Sequence, residues 1–504
     1  MRVAFRTDAS VDIGSGHVMR CMTLAEKLRQ KGAEVVFICR QLPGHGIDLI
    51  REHGFTVAVL PSPSVQQDSV EQARHWLSVP WQQDAEQTHQ LLAEVGYCDW
   101  LIVDHYGIDA AWEEYQKDVV SRIMVIDDLA DRPHSCDLLL DQNPYTDMES
   151  RYSKRLPVGC QQLLGLRYVL LRDEFIQQRE NLKVCDDPVR NILVFFGGVD
   201  APNMTQMVVT AIADLKITGI GVNVVIGSAN PHKDKLEVLC QSLPDVRLHV
   251  QAANMAEMMA NADLCIGAGG TATWERCCLG LPSLAWPIAD NQKKLLHDAA
   301  AMGLVYVPDF DRPSVNDISL HLQALMKNTL LRMYIAGRCV DAVDCQGANR
   351  VVSRLMNVDI TLRLATMDDM QKVYDWRNHI NIRKHSRNNT KIDFQQHQHW
   401  FRDVLDNQDR LLLVGSVDAR DIAVLRYDID GDKAEISVFL SPDEMGKGYG
   451  KALLAAGENY ILANRPDVKA VVAEVMLENT VSQKLFESSG YALSAMQYIK
   501  RFDK

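Results

Sequence analysis

The residues Gly14-Ser15-Gly16-His17 bring together the types that could hold and act on an anion. They follow the apolar run Val3-Ala4-Phe5, which ends in Arg6-Thr7-Asp8. They precede Val18, Met22, Ala25 and Leu28, which recur at helical spacing on one face. The pattern predicts a strand, a loop with two glycines, and a helix beginning at or near His17. Such a loop lets backbone N–H groups approach a phosphate, and the helix dipole favours the negative charge. The same dipole disfavours an imidazolium at His17, and a neutral imidazole beside a bound phosphate is a general base. The residues equally describe a glycine turn with a histidine capping the helix. Asp8 and Asp12 are close enough in sequence to orient His17, although aspartates beside glycine loops more often form turns and caps.

The elements around this loop repeat. Strand-like runs at Val3–Phe5, Val35–Cys39, Thr56–Leu60, Trp100–Asp104, Ile123–Ile126 and Leu138–Leu140 alternate with helical segments. Continuous apolar strands separated by helices imply a parallel sheet covered on both faces. Ligands of such sheets bind at the carboxyl ends of strands, which makes Asp8 and Tyr106 site candidates. The polar segment Gln178–Arg190 reads as a linker. A second alternating series follows at Ile192–Phe196, Val222–Ile226, Arg247–Val250, Leu264–Ile266, Ser283–Trp286 and Leu304–Val307. Its first strand opens into Gly197-Gly198 and a later one into Gly267-Ala268-Gly269-Gly270-Thr271, so both repeat the strand–glycine–helix order. Two halves with phosphate-type loops suggest one ligand between them. A dinucleotide-binding fingerprint fits less well, because its third glycine falls on Met19 and the second strand ends in Arg40 rather than an acid.

With 504 residues the chain is long enough for about three domains. A net charge of -13 argues against nucleic-acid partners and anionic membrane surfaces. No run reaches the length of a membrane span and nothing resembles a signal peptide. The twelve cysteines are scattered, without zinc spacing, and read as reduced core residues of a cytoplasmic protein with no metal.

Residues 1 to about 355 resemble the UDP-sugar hydrolases of pseudaminic acid biosynthesis, relatives of the murein-type glycosyltransferases with the two-domain GT-B fold. The resemblance rests on Gly14–Arg20, Asp104-His105-Tyr106, Leu164–Tyr168, Gly197-Gly198, Gly267–Glu275 and Asp290-Asn291-Gln292, in that order. It implies UDP held mainly by the second half. Gly269, Gly270 and Thr271 would take the diphosphate with Gly198 nearby, Glu275 the ribose hydroxyls, and backbone near Asn254 and Met255 the uracil. Tyr106, Asn291 and Gln292 would face the sugar, with Asp8 and Gly16 beside it, and His17 would be catalytic. The chemistry is consistent with those residues: UDP leaves readily once backbone donors hold its diphosphate, and one well-placed base delivers water to the anomeric carbon.

From about Val358 the pattern changes. The strand Glu435–Leu440 enters Met445-Gly446-Lys447-Gly448-Tyr449-Gly450-Lys451 and a helix follows, again an anion cradle. Residues 360–504 resemble the GNAT acetyltransferases. The resemblance implies acetyl-CoA as co-substrate. Met445, Gly446, Lys447, Gly448, Gly450 and Lys451 would cradle its pyrophosphate, Val438 and Leu440 would pair with the pantetheine, and Asn479 and Ser482 would contact it from the next helix. Glu435 is a candidate base, or a solvated strand-end carboxylate. The tyrosine that many members use as general acid is Phe486 here, with Tyr491 near in sequence. Asp375–Asn378 and His397–Phe401 look like sugar-nucleotide N-acetyltransferases.

The expected architecture is therefore α/β throughout: Rossmann-like halves at 1–178 and 190–356 in a GT-B arrangement, then a GNAT domain at 358–504. The expected function is bifunctional. The last domain would acetylate the 4-amino group of a UDP-amino sugar, and the first two would hydrolyse the resulting UDP-diacetamido-trideoxy-altrose. Partners would be these small molecules and other enzymes of the sugar pathway. A glycosyltransferase with an acceptor other than water, and a sugar-nucleotide sensor in which one or both parts only bind ligand, are the rival readings.

Overall fold

The computed structural model describes residues 1–11, 13–63, 76–180, 182, 188–308, 313–356, 360–384, 389–417 and 420–493. Asp12 lies outside the described residues, as do residues 181 and 183–187 of the segment expected to be a linker. The chain forms two compact units, Met1–Val352 and Ser353–Lys504.

The first unit holds two parallel sheets. Strands β1 (Arg2–Thr7), β2 (Glu34–Arg40), β3 (Thr56–Leu60), β4 (Cys98–Asp104), β5 (Val120–Ile126), β6 (Leu138–Asp141) and β7 (Gln161–Leu164) line up in the order β3-β2-β1-β4-β5-β6-β7. The central strands are buried almost end to end, as their unbroken apolar runs require when helices cover both faces. Strands β8 (Asn191–Phe195), β9 (Gly221–Ile226), β10 (Val246–Val250), β11 (Leu264–Ala268) and β12 (Ser283–Trp286) form the second sheet, ordered β10-β9-β8-β11-β12. In each sheet the winding reverses beside the first strand, between β1 and β4 and between β8 and β11. Such a reversal leaves a crevice at the strands' carboxyl ends.

Some elements differ from expectation. The edge strand β7 begins with two glutamines, so no apolar run announced it. Leu304–Val307 is not a full strand, and among the described residues it makes one bridge, Tyr306 to Leu284. Helices Val315–Lys327 and Thr329–Ala342 belong to this unit, as does the helix Gly347–Leu355 as far as Val352. The last of these returns to the Leu164–Tyr168 motif. A Cβ on Gly347 would sit 2.2 Å from the Val169 carbonyl oxygen, and Arg350 Nη1 donates to the Arg167 carbonyl at 2.6 Å. Val169, Leu171 and Phe175 already belong to the second sheet's hydrophobic core. Arg179, in the Asp173–Arg179 helix, donates to the carbonyls of Cys278 and Val340. The crossing into the second half thus precedes the polar segment. The described cysteines are free thiols, nearly all buried.

The second unit is built on one sheet of β13 (Thr361–Leu364), β14 (Arg410–Val417), β15 (Arg420–Asp430), β16 (Lys433–Leu440) and β17 (Ala470–Ala473), in sequence order. Neighbours are antiparallel until β17, which runs parallel to β16. That pairing covers Lys433–Ile436 alone, while β16 stays paired with β15 as far as Leu440. The two strands therefore part after Ile436. No helix among the described residues is long and apolar enough to cross a membrane.

Candidate active site

The first crevice is occupied by ionisable side chains. Gly14 takes a left-handed φ of +77°, which glycine adopts without strain, and the helix begins at Gly16. His17, its second residue, is nearly buried. Its Nδ1 lies 2.5 Å from Asp104 Oδ1 at the end of β4. Donating the Nδ1 proton to that carboxylate leaves the lone pair on Nε2, the tautomer a base needs. Burial pushes the Asp104 carboxyl up, but the Arg20 guanidinium and then His17 outweigh it and hold it well below the usual carboxylate range. Arg20 grips Asp104 with two hydrogen bonds, Nε to Oδ2 at 2.5 Å and Nη2 to Oδ1 at 2.7 Å.

The network continues outward. Arg20 Nη1 reaches Asp128 Oδ2 at 3.2 Å, and Tyr106 donates its hydroxyl to Asp128 Oδ1 at 2.9 Å. The Tyr106 ring meets His17 edge to face at 4.5 Å and Trp76 at 5.6 Å. Burial and then Asp128 push the Tyr106 phenol up, so it stays a donor. Asn143 donates to Asp128 at 3.3 Å and accepts from Trp274 Nε1 at 2.8 Å. Trp274 sits on the Thr271–Cys278 helix of the second half, so a continuous polar chain joins that helix to His17.

Asp8 is placed differently from expectation. Its carboxylate is fully buried and meets Arg6 Nη1 at 2.8 Å, the Arg40 amide at 2.6 Å and His105 Nε2 at 3.3 Å. Arg6 and Arg40 also converge on buried Asp84. Asp8 therefore braces the ends of β1 and β2, and the carboxylate beside His17 is Asp104. The register that pairs Thr7 with Asp104 across β1 and β4 is what brings them together. Strand order carries that information, and spacing along the chain does not.

The second crevice is lined by backbone. Gly197 has φ +84° and Gly270 φ +100°. Gly198 is exposed, and its carbonyl accepts from the Gly227 amide at 3.0 Å. A Cβ on Gly269 would lie 3.0 Å from Leu296 and 3.2 Å from Gln292, which ties the loop to the Asn291–Ala301 helix. Thr271 opens the Thr271–Cys278 helix. Glu275 is held by Arg172 at 3.0 Å, and burial pushes its carboxyl up against that pull. Asn254 precedes the Met255–Asn261 helix and donates to Glu257, with Met255 buried behind it. Asn291 is exposed, and the Gln292 side-chain oxygen accepts from the Ile288 amide.

In the second unit Gly446 and Gly448 take φ of +79° and +91°, and Gly450 begins the helix Gly450–Asn464. Lys447 meets buried Glu444 at 3.2 Å. Met445 and Lys451 flank this loop. Val438 and Leu440 lie where β16 has left β17, whereas Glu435 is exposed on the paired stretch. The Asn479 side chain caps the Thr480–Ser488 helix by accepting from the Ser482 amide at 3.1 Å. Phe486 is buried and packs edge to face on Tyr491 at 5.0 Å. Burial and the nearby Glu458 keep the Tyr491 hydroxyl protonated, so a proton donor stands beside the phenylalanine. Among the described residues no cluster of His, Cys, Asp and Glu could hold a metal ion.

Residues 191–307 match the glycosyltransferase family 28 C-terminal domain, and residues 359–492 match the acetyltransferase (GNAT) domain. The UDP-2,4-diacetamido-2,4,6-trideoxy-beta-L-altropyranose hydrolase of Campylobacter jejuni is 30% identical over 261 residues, 51% of this chain and 81% of that protein. The spore coat polysaccharide biosynthesis protein SpsG of Bacillus subtilis is 24% identical over 71% of this chain and 98% of its own length. The crystal structure of Acinetobacter baumannii MurG is 14% identical, covers 71% of this chain and 99% of its own, and has a TM-score of 0.49.

Proposed function

The chain belongs to the family of the UDP-2,4-diacetamido-2,4,6-trideoxy-beta-L-altropyranose hydrolase and ends in a GNAT acetyltransferase domain, and from that premise we propose that it performs two consecutive reactions on one UDP-sugar. The GNAT domain transfers the acetyl group of acetyl-CoA to the 4-amino group of a UDP-4-amino-4,6-dideoxy-N-acetyl sugar. The first unit then hydrolyses the diacetamido product to free sugar and UDP.

The observation that carries the hydrolase reading is the His17–Asp104 pair at the first crevice. In the proposed step His17 Nε2 takes a proton from water as its oxygen bonds to the anomeric carbon. The bond from that carbon to the diphosphate oxygen breaks, and its electron pair leaves with UDP. Gly269, Gly270 and Thr271 receive the diphosphate, and Glu275 turns from Arg172 to the ribose. Asn254 and Met255 flank the uracil, and Tyr106, Asn291 and Gln292 face the sugar. In the acetyl step the amine nitrogen bonds to the thioester carbonyl carbon and CoA thiolate departs. Glu435 takes the amine proton, and Tyr491 supplies a proton to the thiolate in place of Phe486. Val438 and Leu440 offer backbone to the pantetheine, and the Gly446–Gly450 loop takes the pyrophosphate.

The test is proton NMR and mass spectrometry of products from the UDP-4-amino sugar, with and without acetyl-CoA. Free diacetamido sugar and UDP are expected only with acetyl-CoA. Hydrolysis of chemically acetylated substrate alone would keep the hydrolase and remove the acetyl step. The family 28 match favours a second reading, a glycosyltransferase. Intact substrate in the absence of any acceptor would put that reading first.

A further inference from the structure

One buried charge in the second half takes no part in the reactions above. Arg276 lies on the Thr271–Cys278 helix and is 1% exposed. Its Nη2 donates to the Ala268 carbonyl at 2.9 Å and to Thr273 Oγ1 at 3.1 Å, so the guanidinium is fastened to the underside of the Gly267–Thr271 loop. Among the described residues its Nε and Nη1 are buried without an oxygen or nitrogen partner, and the guanidinium reaches the Cys265 thiol, a weak acceptor. A Cβ on Gly267 would sit 2.3 Å from the Phe195 carbonyl oxygen and 3.0 Å from Nη1, so the guanidinium packs where the strand ends in glycine. Its acidic neighbour Glu275 feels it through space without a hydrogen bond between the two among the described residues. Glu275 is engaged by Arg172, and burial pushes the Cys265 thiol up, against the pull of Arg276, so that it stays uncharged. A buried guanidinium left with unmade hydrogen bonds is costly, and cores keep one where a counter-charge arrives.

We propose that Arg276 is the counter-charge of the diphosphate that binds at Gly269-Gly270-Thr271, acting through the loop rather than by touching the ligand. Two effects follow. The positive charge sits beneath the anion in a water-excluded region, where it is weakly screened. The bond to the Ala268 carbonyl also polarises the Ala268–Gly269 peptide, which strengthens the Gly269 N–H as a donor to phosphate. Both stabilise a diphosphate whose charge grows as it departs, so Arg276 is a positioning residue for the leaving group. This inference rests on the proposal that the loop binds UDP.

The test is calorimetric titration of the full chain with UDP and with uridine, for wild type, Arg276→Met, Arg276→Gln and Arg276→Lys. The expected result is that Met and Gln weaken UDP about tenfold or more and leave uridine within about twofold. Lys recovers most of the UDP affinity. The ligand-free melting temperature of the Met or Gln variant falls little, because removal of an incompletely paired buried charge offsets the hydrogen bonds lost at Ala268 and Thr273. Unchanged UDP affinity in either neutral variant overturns the inference, and so does equal loss of UDP and uridine, which would mean a structural role. Gln gives the same readout should Met fail to fold. Wild-type protein that binds no UDP would instead overturn the underlying reading of the loop.

Discussion

The two crevices of the first unit share a plan and differ in filling. Each opens where a parallel sheet reverses its winding, and each has a glycine loop leading into a helix. The first is crowded with titratable groups that hold one another: His17 on Asp104, Arg20 across Asp104 and Asp128, Tyr106 on Asp128. The second presents glycine backbone with the Arg276 guanidinium fixed behind it. Sheet topology thus decides where a ligand sits in each half, and side chains decide whether that place moves protons or grips an anion. The polar chain through Asn143 and Trp274 joins the two places.

The sharpest way to break this division of labour is His17→Ala. It is expected to lower kcat for UDP-sugar hydrolysis about 10²–10⁴-fold, the usual worth of a general base, with UDP affinity unchanged in a titration. Loss of UDP binding in that variant would mean the first crevice also holds the nucleotide. Asp104→Asn should come next, with kcat falling by up to about 10⁴-fold, no further than in His17→Ala, through the wrong tautomer of His17. It also leaves the Arg20 charge short of a partner, so chemical denaturation should show a loss of about 3 kcal/mol. Trp274→Phe cuts the joint between the crevices and leaves the buried Asn143 oxygen without its donor. A loss of about 1–3 kcal/mol is expected by denaturation, with kcat changed far less than by His17→Ala. A kcat loss as large as that of His17→Ala would show that the two crevices do not work independently.

The smallest effect concerns pH. Burial, and then Asp128, push the Asp141 carboxyl up to about 8. Between its ordinary value near 4 and about 8 the folded state holds a proton that the unfolded chain has released. Stability from this group is therefore full at low pH and is lost as pH rises through 8. Melting temperatures measured from pH 5 to 8.5 should fall less steeply for Asp141→Asn than for wild type. Parallel curves would mean that Asp141 is charged throughout.

Most of the architecture was legible because buried parallel strands declare themselves as apolar runs, and the glycine loops mark where each run meets a helix. What escaped had a physical reason in each case. Strand β7 is an edge strand with a polar start. Asp104 reaches His17 through strand order, over 87 residues of chain, which no local pattern encodes. Asp8 is nearer to His17 along the chain, but Arg6, Arg40 and His105 converge on it from separate elements. Arg276 lies in a segment legible as helical, but the burial of its guanidinium under the glycine loop comes from the packed core alone.

The parting of β16 and β17 has a consequence for how the second unit comes undone. A strand attached at one end along Lys433–Ile436 is the least costly part of its sheet to open, because opening it exposes few hydrogen bonds and little apolar surface. Amide exchange should therefore be fastest at Ala470–Ala473 and slowest where β14 and β15 pair along their length. An extended amide-bearing molecule seated beside Ser437–Leu440 would bridge the fork and slow exchange on both of its arms. The fork is thus the place where occupancy of this unit can be read as a rate of hydrogen exchange, without measuring any reaction.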